Sequence, residues 1–346
     1  MKNLKHLCLT PLLTLPLNLY AAEPIKISGI MEIDASYSKD YNQNSRSDIT
    51  VSKIELAFDT NINVETVAHV LILHEDDSTE PLQLDEATLT MQLGGGWYLN
   101  GGRMVVPFGI YETHFVADPI TAGLGEASET ALQIGFERDG LYGSFYAFNG
   151  DTINTSSALK GNDRTQHFGG NLGYIITHGD ASLNLGVDYI NNLADADAVS
   201  GMLSINTDTD GDTIADKSTL NRYVKGVSLH AVYNDGPWTA IAEHMKAGRF
   251  EATELAFNGN GAAPSATNVE VAYSFSWGTV ATAYQTTREA LSLALPKQRT
   301  LIGFSMRLLE NSTLNIELSK DKDYSDTVGG TGAKGTASTI QLAVAF

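Results

Sequence analysis

The sequence predicts an all-β fold, a transmembrane antiparallel β-barrel of about 16 strands with short periplasmic turns and longer extracellular loops. Residues 338–346 alternate apolar with small or polar side chains and end on the ring of Phe346, which marks a strand with one apolar face. Similar short segments recur from end to end, and none after the N-terminal region reaches the roughly 18 apolar residues of a membrane helix. In lipid, such strands satisfy their backbone groups only in a closed barrel.

The N-terminal region has the pattern of a secretory signal. Lys2 and Lys5 precede an apolar run at 7–19, and small residues follow at 21–22, so we assign 1–22 to a signal peptide and 23–346 to a single barrel domain. Cys8 is the only cysteine and lies in the signal. The mature chain would therefore have no disulfide and no thiolate chemistry.

The charge balance is strongly acidic. The formal net charge is −19, and it becomes −21 when Lys2 and Lys5 are removed with the signal. Nucleic-acid binding needs a basic surface, so we expect no nucleic-acid partner. No proline-rich linker and no change of amino-acid composition divides the chain, which favours one domain.

Sixteen strands can be placed along the chain, an even number that leaves both termini on one side, as bacterial barrels require. The first eight lie at 25–37, 49–60, 64–74, 82–93, 97–108, 130–138, 141–148 and 166–176. The other eight lie at 181–190, 222–233, 238–250, 267–277, 279–289, 299–310, 313–320 and 335–346.

Short connections rich in Gly, Asn and Asp alternate with longer polar ones, and we assign the short ones to the periplasm. Trp97, Trp238 and Trp277 each lie within two residues of a predicted periplasmic turn. Amphipathic rings collect where hydrocarbon meets head groups, so these side chains predict the lower aromatic girdle of a barrel. The alternative, a secreted β-sandwich or propeller, would not need its aromatics at one level.

Where alternation is clean, the polar face of each strand should line an aqueous lumen, because sixteen strands enclose a channel. Strand 64–74 is ambiguous, since residues 70–73 offer no polar face. Charges are costly on the lipid side, so charged residues should point inward. The expected lumen carboxylates are Glu32, Asp34, Glu55, Asp59, Glu86, Asp188 and Glu317.

The connection at 107–129 is too apolar for a plain solvated loop, and we expect it to fold into the barrel as a pore constriction. An alternative is that Phe108, Tyr111 and Phe115 anchor a surface loop to the rim. The expected constriction residues are Glu112, His114, Asp118, Glu126 and Glu129 on the loop, facing Arg103, Arg138, Lys225 or Arg307 on the wall.

The longest loop carries carboxylates at alternate positions around Gly211, at 206–216. Several oxygen ligands at short spacing suit a hard cation, and we predict a structural calcium ion there. A solvated acidic loop is the alternative. The candidate ligands are Asp208, Asp210, Asp212 and Asp216. No other cofactor is expected, and since no G-x-S-x-G or H-E-x-x-H motif occurs, no catalytic residues and no enzyme activity are expected.

An ordered set of segments resembles the siderophore porins of the legiobactin-uptake (LbtU) type. The segments lie at 27–37, 47–49, 74–77, 85–87, 103–109, 118–119 and 148–151. The resemblance implies a 16-stranded outer-membrane barrel that admits a ferric siderophore without a globular plug. The helical, coiled-coil-like segment that often precedes the barrel in that family is not found here.

These observations together predict passive passage of small hydrophilic solutes, with ferric siderophore as the leading substrate. Two alternatives stay open: a general, cation-leaning diffusion porin, and a barrel enzyme or surface-binding protein with a closed lumen. The expected partners are outer-membrane lipid, the barrel-assembly machinery through the C-terminal strand, the transported solute and, as one assembly state, two further copies in a homotrimer.

Overall fold

A computed structural model describes residues 24–75, 82–154, 166–203, 206–207 and 217–346; the side chains of 206–207 and 217–219 are not described. The predicted signal peptide at 1–22 lies outside these residues. So do the candidate calcium ligands Asp208, Asp210, Asp212 and Asp216. Both assignments therefore stay predictions.

Sixteen antiparallel strands form one closed barrel, which confirms the predicted fold class. The first eight are β1 (Lys26–Lys39), β2 (Ser45–Asn63), β3 (Thr66–Glu75), β4 (Gln83–Gly94), β5 (Trp97–Val105), β6 (Ser128–Arg138), β7 (Leu141–Phe148) and β8 (His167–His178). The others are β9 (Ala181–Ile190), β10 (Gly226–Asp235), β11 (Trp238–Ala247), β12 (Ser265–Phe275), β13 (Gly278–Arg288), β14 (Gln298–Leu309), β15 (Ser312–Lys322) and β16 (Lys334–Ala345).

The barrel closes between its first and last strands. Met31 of β1 is paired with Val344 of β16, and the backbone of Gly29 exchanges two hydrogen bonds with that of Phe346, at 2.9 and 3.0 Å. This closure removes both sheet edges, as a barrel in lipid requires. The terminal aromatic residue thus completes the hydrogen-bonded seam.

The two ends of the barrel differ as the sequence predicts. Tight turns join strands at one end, and at Asp139-Gly140 both residues have positive φ, 53° and 81°, the geometry of a type I′ hairpin. The other end carries the longer connections with short helices at Ala122–Gly125 and Asp197–Met202 and 3₁₀ turns at Leu193–Asp195, Leu291–Leu293 and Asp326–Val328. No helix among the described residues is both long and apolar enough to cross a membrane.

Two small sheets lie outside the barrel, in the longer connections. One joins Asn206–Thr207, Lys217–Leu220 and Thr152–Asn154, and the other joins Ala256–Phe257 with Asn260–Gly261. The first of them brings the connection after β7 against the connection after β9.

The outer face carries the apolar side chains. All three tryptophans are about half exposed at the turn end of the barrel. Trp97 packs on Phe136 with ring centroids 5.1 Å apart, and Trp238 packs on Tyr273 at 4.7 Å. The rings form the predicted lower girdle of a bilayer-spanning barrel.

The ambiguous strand β3 has a mixed inner face. His69, Leu71, Leu73 and Glu75 share one face, opposite the inward residues of β2, and Leu73 is buried. Alternation therefore holds in β3, but apolar side chains occupy inward positions.

Three predicted strands run too far toward the long loops. β5 ends at Val105 rather than at 108, β10 begins at Gly226 rather than at 222, and β11 ends at Ala247 rather than at 250. Phe108 and Phe250 are fully buried, because they leave the sheet to join an apolar core within the upper barrel. That core also contains Leu124, Leu193 and Met245.

Candidate functional site

The connection between β5 and β6, residues 106–127, is called the lumen loop here. It crosses the interior, and its backbone binds inward-facing side chains of the far wall. The amide of Gly109 donates to Oδ2 of Asp188 on β9 at 3.1 Å, and that of Ile110 donates to Oε1 of Glu243 on β11 at 2.7 Å. The loop is therefore placed inside the barrel, and the alternative of a loop anchored only at the rim is wrong.

Glu270 on β12 makes the densest contact with the lumen loop. Its Oε1 accepts from the backbone amide of His114 at 2.8 Å and lies 2.6 Å from Nδ1 of the same residue. Its Oε2 accepts from the hydroxyl of Thr113 at 2.8 Å. One carboxylate thus fixes the backbone and two side chains of the loop.

The far end of the loop is held in the same way. The amides of Val116 and Ala117 both donate to Oε2 of Glu317 on β15, at 2.8 and 3.1 Å. The amide of Ile120 donates weakly to Oε1 of Gln285 on β13, at 3.4 Å. The loop therefore follows the wall from β9 to β15.

Four carboxylates of the wall accept hydrogen bonds from the lumen loop. Asp188, Glu243, Glu270 and Glu317 are each at most 5% exposed. Backbone amides satisfy carboxylates well, since hydrogen bonds to an ionised acceptor are roughly twice as strong as neutral ones. Asp188 and Glu317, expected to line the open lumen, instead seat the lumen loop.

Apolar side chains fill the space beside the loop. Phe108, Ile120 and Leu124 of the loop pack in one buried cluster with Met245 of β11. Phe115 lies over Gly303 of β14, where an added Cβ would be 2.8 Å from its ring. At the level of the loop, the β6–β13 side of the barrel is a packed core rather than water.

The opposite side stays open. Inward side chains on β1 and β2, including Glu32, Asp34, Glu55 and Asp59, keep partial solvent exposure, as does Glu86 on β4. They are bridged only in part by basic groups: Nζ of Lys53 lies 2.9 Å from Oε1 of Glu55. Similarly, Nδ1 of His69 lies 2.7 Å from Oδ1 of Asp59. The open path thus has an acidic wall.

A cavity lies where the lumen loop faces β14. Asp118 and Glu126 of the loop line it, together with Asp197 of the connection after β9 and Arg299 of β14. Arg299 holds Asp321 of β15 with two hydrogen bonds, of 2.9 and 3.0 Å. Much of its positive charge is therefore already compensated.

Burial dominates the protonation of the carboxyls in this cavity. It raises the pKa of Glu126 to about 7, and the negative charges of Asp118 and Asp197 act in the same direction. Burial likewise raises the pKa of Asp197, although hydrogen bonds from Ser128 oppose the shift. The charge on the loop side of the path therefore changes near neutral pH.

The structure separates the expected constriction residues. Glu112 and Asp118 are exposed on the lumen loop and Glu126 is half-buried, so these three face the open path. His114 is bound to Glu270 and acts as an anchor. Glu129 is buried at the start of β6.

The two basic residues expected on the wall, Arg103 and Arg138, lie at different heights of the barrel. Arg138 lies at the turn end of β6, where it pairs with Asp139 at 3.1 Å, whereas the loop joins β6 at its other end. Arg103 is paired in register with Ala87 and Thr130, whereas Met104 and Glu129 form the inward pair beside it. The prediction that Arg138 faces the loop is therefore wrong, whereas Arg103 acts electrostatically on Glu129 and on Asp197, and its place in the constriction stays a prediction.

Sequence reasoning missed Glu243, Glu270, Asp197 and Arg299. The signal for Glu270 was present, because Val269 and Val271 flank it as clear outward residues. Asp197 lies in a long connection, where no periodicity reports its position. Among the described residues, no group of three or more His, Cys, Asp or Glu side chains could hold a metal ion.

Comparison with known sequences gives distant relatives. No protein-family model matches the chain. It is 24% identical over 332 residues to a UPF0422 protein of Coxiella burnetii, covering 91% of this chain and 68% of that protein. It is 27% identical over 334 residues to a UPF0422 protein of Legionella pneumophila strain Paris, covering 89% and 61%. The chain thus spans about two thirds of the length of these homologues, and the legiobactin-uptake type stays a prediction.

Solved structures share the barrel. The anion-selective porin from Comamonas acidovorans superposes with a TM-score of 0.63 at 15% identity, covering 94% of this chain and all of that one. OprB of Pseudomonas putida gives 0.62 at 10%, covering 93% and 94%. DcaP of Acinetobacter baumannii gives 0.60 at 14%, covering 94% and 97%. This chain is an outer-membrane barrel with a porin-like fold. At identities of 10–15%, this similarity establishes the fold and gives no information on ion selectivity.

Proposed function

We propose that the protein is a passive outer-membrane channel for small hydrophilic solutes, with a preference for cations over anions. The observation that carries this proposal is the placement of the lumen loop. It lies against the wall from β9 to β15 and leaves a path between its own Glu112, Asp118 and Glu126 and the wall formed by β1–β4. Carboxylates lie on both sides of that path.

The accessible carboxylates of the path are compensated by basic groups only in part. Asp188, Glu243, Glu270 and Glu317 are buried and accept hydrogen bonds from the loop, so they have little contact with a solute. Glu32, Asp34, Glu55, Asp59 and Glu86 are accessible, and the basic groups that contact them are Lys53 and His69. A narrow channel lined by one sign of charge concentrates counter-ions and repels co-ions.

Reversal potentials across planar bilayers under a potassium chloride gradient test this proposal. We expect stable single-channel conductance and a cation-selective potential. A variant with Glu112→Gln and Asp118→Asn should move the potential toward zero, since both side chains are exposed on the loop and their removal leaves its wall contacts intact. An anion-selective wild type would contradict the proposal.

A second candidate function is passage of a ferric siderophore. Its support is the ordered resemblance of segments such as 27–37 and 103–109 to siderophore porins of the legiobactin-uptake type. Liposomes carrying the refolded protein can be offered a ferric polycarboxylate siderophore and an uncharged sugar of similar size. Faster siderophore entry would favour this candidate. Equal or slower entry would favour the general cation-leaning channel.

The remaining alternative is an enzyme or surface-binding protein with a closed lumen. Its expected signature is the absence of single-channel conductance from a folded, inserted barrel. Assembly as a homotrimer and recognition of β16 by the barrel-assembly machinery also stay proposals. Cross-linking in native membranes, and insertion of a chain that lacks Phe346, test them.

A further inference from the structure

Four lysines cluster on the lipid-facing side of the barrel, at its extracellular end. Lys320 and Lys322 are outward positions of β15, Lys334 is one of β16 and Lys39 is one of β1, and all four are exposed. Their direction follows from alternation: on β15 the outward Leu318 is 54% exposed, whereas the inward Glu317 is buried. These four residues are called the lysine cluster.

The strand register brings the four side chains close together. Lys322 is directly opposite Lys334, and Lys320 is opposite Thr336. Lys39 pairs with the same Thr336 from the other side. Like charges placed directly across a strand pair destabilise it. A bound anion would offset this repulsion.

No carboxylate of the described chain supplies that anion. Within the described residues, none of the four lysines forms an ion pair with an Asp or Glu side chain. The nearest acidic residues in sequence have other partners. Asp40, next to Lys39, is exposed and accepts hydrogen bonds from Asn42 and Asn44. Asp321 points inward to Arg299, and Asp323 is buried and accepts hydrogen bonds from Thr331.

Further basic side chains lie at the extracellular edge of the barrel beyond the lysine cluster. Lys246 at the end of β11 and Arg288 at the end of β13 are both exposed and lie on either side of Ser265. The outward positions in the extracellular halves of β10–β16 and β1, all of them described, contain no Asp or Glu. This bias is strong in a chain whose formal net charge is −19.

The height of the lysine cluster identifies its surroundings. Tyr37, Leu318 and Ile302 lie in one register row and are exposed apolar residues of the outer face. Lys39 and Lys320 come two residues further along their strands, roughly 7 Å higher at the usual rise of a strand. The ammonium groups thus lie just above the hydrocarbon, where lysine side chains reach head groups.

We propose that the lysine cluster binds the phosphate groups of the glycolipid in the outer leaflet of the outer membrane. The strands place the cluster at the extracellular edge, so the phospholipid of the inner leaflet lies at the wrong height. Phosphate bears more than one negative charge and several acceptor oxygens, which suits ammonium groups on neighbouring strands. This inference is independent of what passes through the lumen.

Binding of diphosphoryl lipid A to the refolded protein in detergent tests the proposal. The variant replaces Lys320, Lys322 and Lys334 with Gln. Its matched control replaces Lys26, Arg138 and Arg307, three cations at the periplasmic end, with Gln. We expect the cluster variant to lose at least about tenfold in affinity and the control to keep it, because each basic residue at a charged membrane surface contributes separately. Changing the three lysines to Arg should preserve binding.

Four results would overturn the proposal. Equal affinity of the cluster variant and its control would show that the lysines are not the site. Equal binding of fully dephosphorylated lipid A would show that phosphate is not recognised. Full competition by an equal concentration of inorganic phosphate would show that the site binds a free anion rather than the lipid. A variant that changed only the oligomeric state would make the cluster a contact between copies. Heat-modifiable electrophoretic mobility checks that every variant is folded.

Discussion

The Nδ1 atom of His114 lies 2.6 Å from Oε1 of Glu270, and this contact joins the middle of the lumen loop to the barrel wall. The side chain of Glu270 is fully buried, whereas that of His114 keeps 30% of its exposure. The loop therefore turns its donors to the wall and leaves its own carboxylates toward the open path. The anchoring of the loop and the proposed cation preference thus depend on different carboxylates.

Replacing Glu270 with Ala should loosen the lumen loop. Three donors from Thr113 and His114 lose their acceptor, and hydrogen bonds to a charged acceptor contribute about 1.5–3 kcal/mol each. We expect larger and noisier single-channel currents. Glu270→Gln is the matched control, because it removes the charge and keeps one carbonyl oxygen for His114. Quiet wild-type currents from the Ala variant would mean that Glu270 is not needed to hold the loop.

The barrel was predictable because it depends on local pattern. Period-2 alternation with turn residues at short intervals is enough to place sixteen strands, and Trp97, Trp238 and Trp277 fix which end faces the periplasm. Strand β3 remained ambiguous because Leu71 and Leu73 point inward, where the open lumen favours polar residues. Tertiary packing overrides the pattern there.

The path of the lumen loop was only partly predictable. Its apolar content indicated that it enters the barrel, but no sequence pattern reports which wall residues it meets. Asp188 and Glu317 have the same alternation as Glu32 and Glu55, yet the first two are buried by the loop and the last two are open. Arg138 was assigned to the constriction from its charge alone, although its neighbour Asp139 already marks a turn.

Asp195 should stabilise the packing of the extracellular connections. Its Oδ2 lies 2.9 Å from Nδ1 of His167, and its Oδ1 accepts from both the amide and the hydroxyl of Thr152. Neither side chain is appreciably exposed. A buried donor that loses its acceptor costs about 1–3 kcal/mol, so Asp195→Ala should make these connections sensitive to protease on intact cells. Asp326→Ala, at an exposed loop carboxylate, is the control, and equal protection of both variants would contradict the prediction.

The acidic connection at 206–216 is predicted to bind calcium, because its oxygen ligands occur at alternate positions around Gly211. Titration calorimetry of calcium into wild type should give heat that disappears in a variant carrying Asp210→Ala and Asp212→Ala. A solvated acidic loop would give the same small heat in both proteins. Magnesium serves as the control cation, because it retains its water shell more strongly.

Lowering the pH from 8 to 6 should weaken the cation preference of the channel. Burial raises the pKa of Glu126 to about 7, so its ionised fraction falls from about nine tenths to about one tenth over that interval, while exposed carboxyls with pKa values near 4 stay charged. The loop side of the path then loses one negative charge.

The variant Glu126→Gln isolates this effect. Imidazoles also gain protons in the same interval, and they do so in the variant as well. The difference between the two curves of reversal potential against pH therefore reports Glu126 alone. We expect the curves to separate above pH 7 and to converge below pH 6, because neutral Glu126 and Gln carry the same charge. Curves that stay parallel throughout would mean that Glu126 does not act on ions in the path.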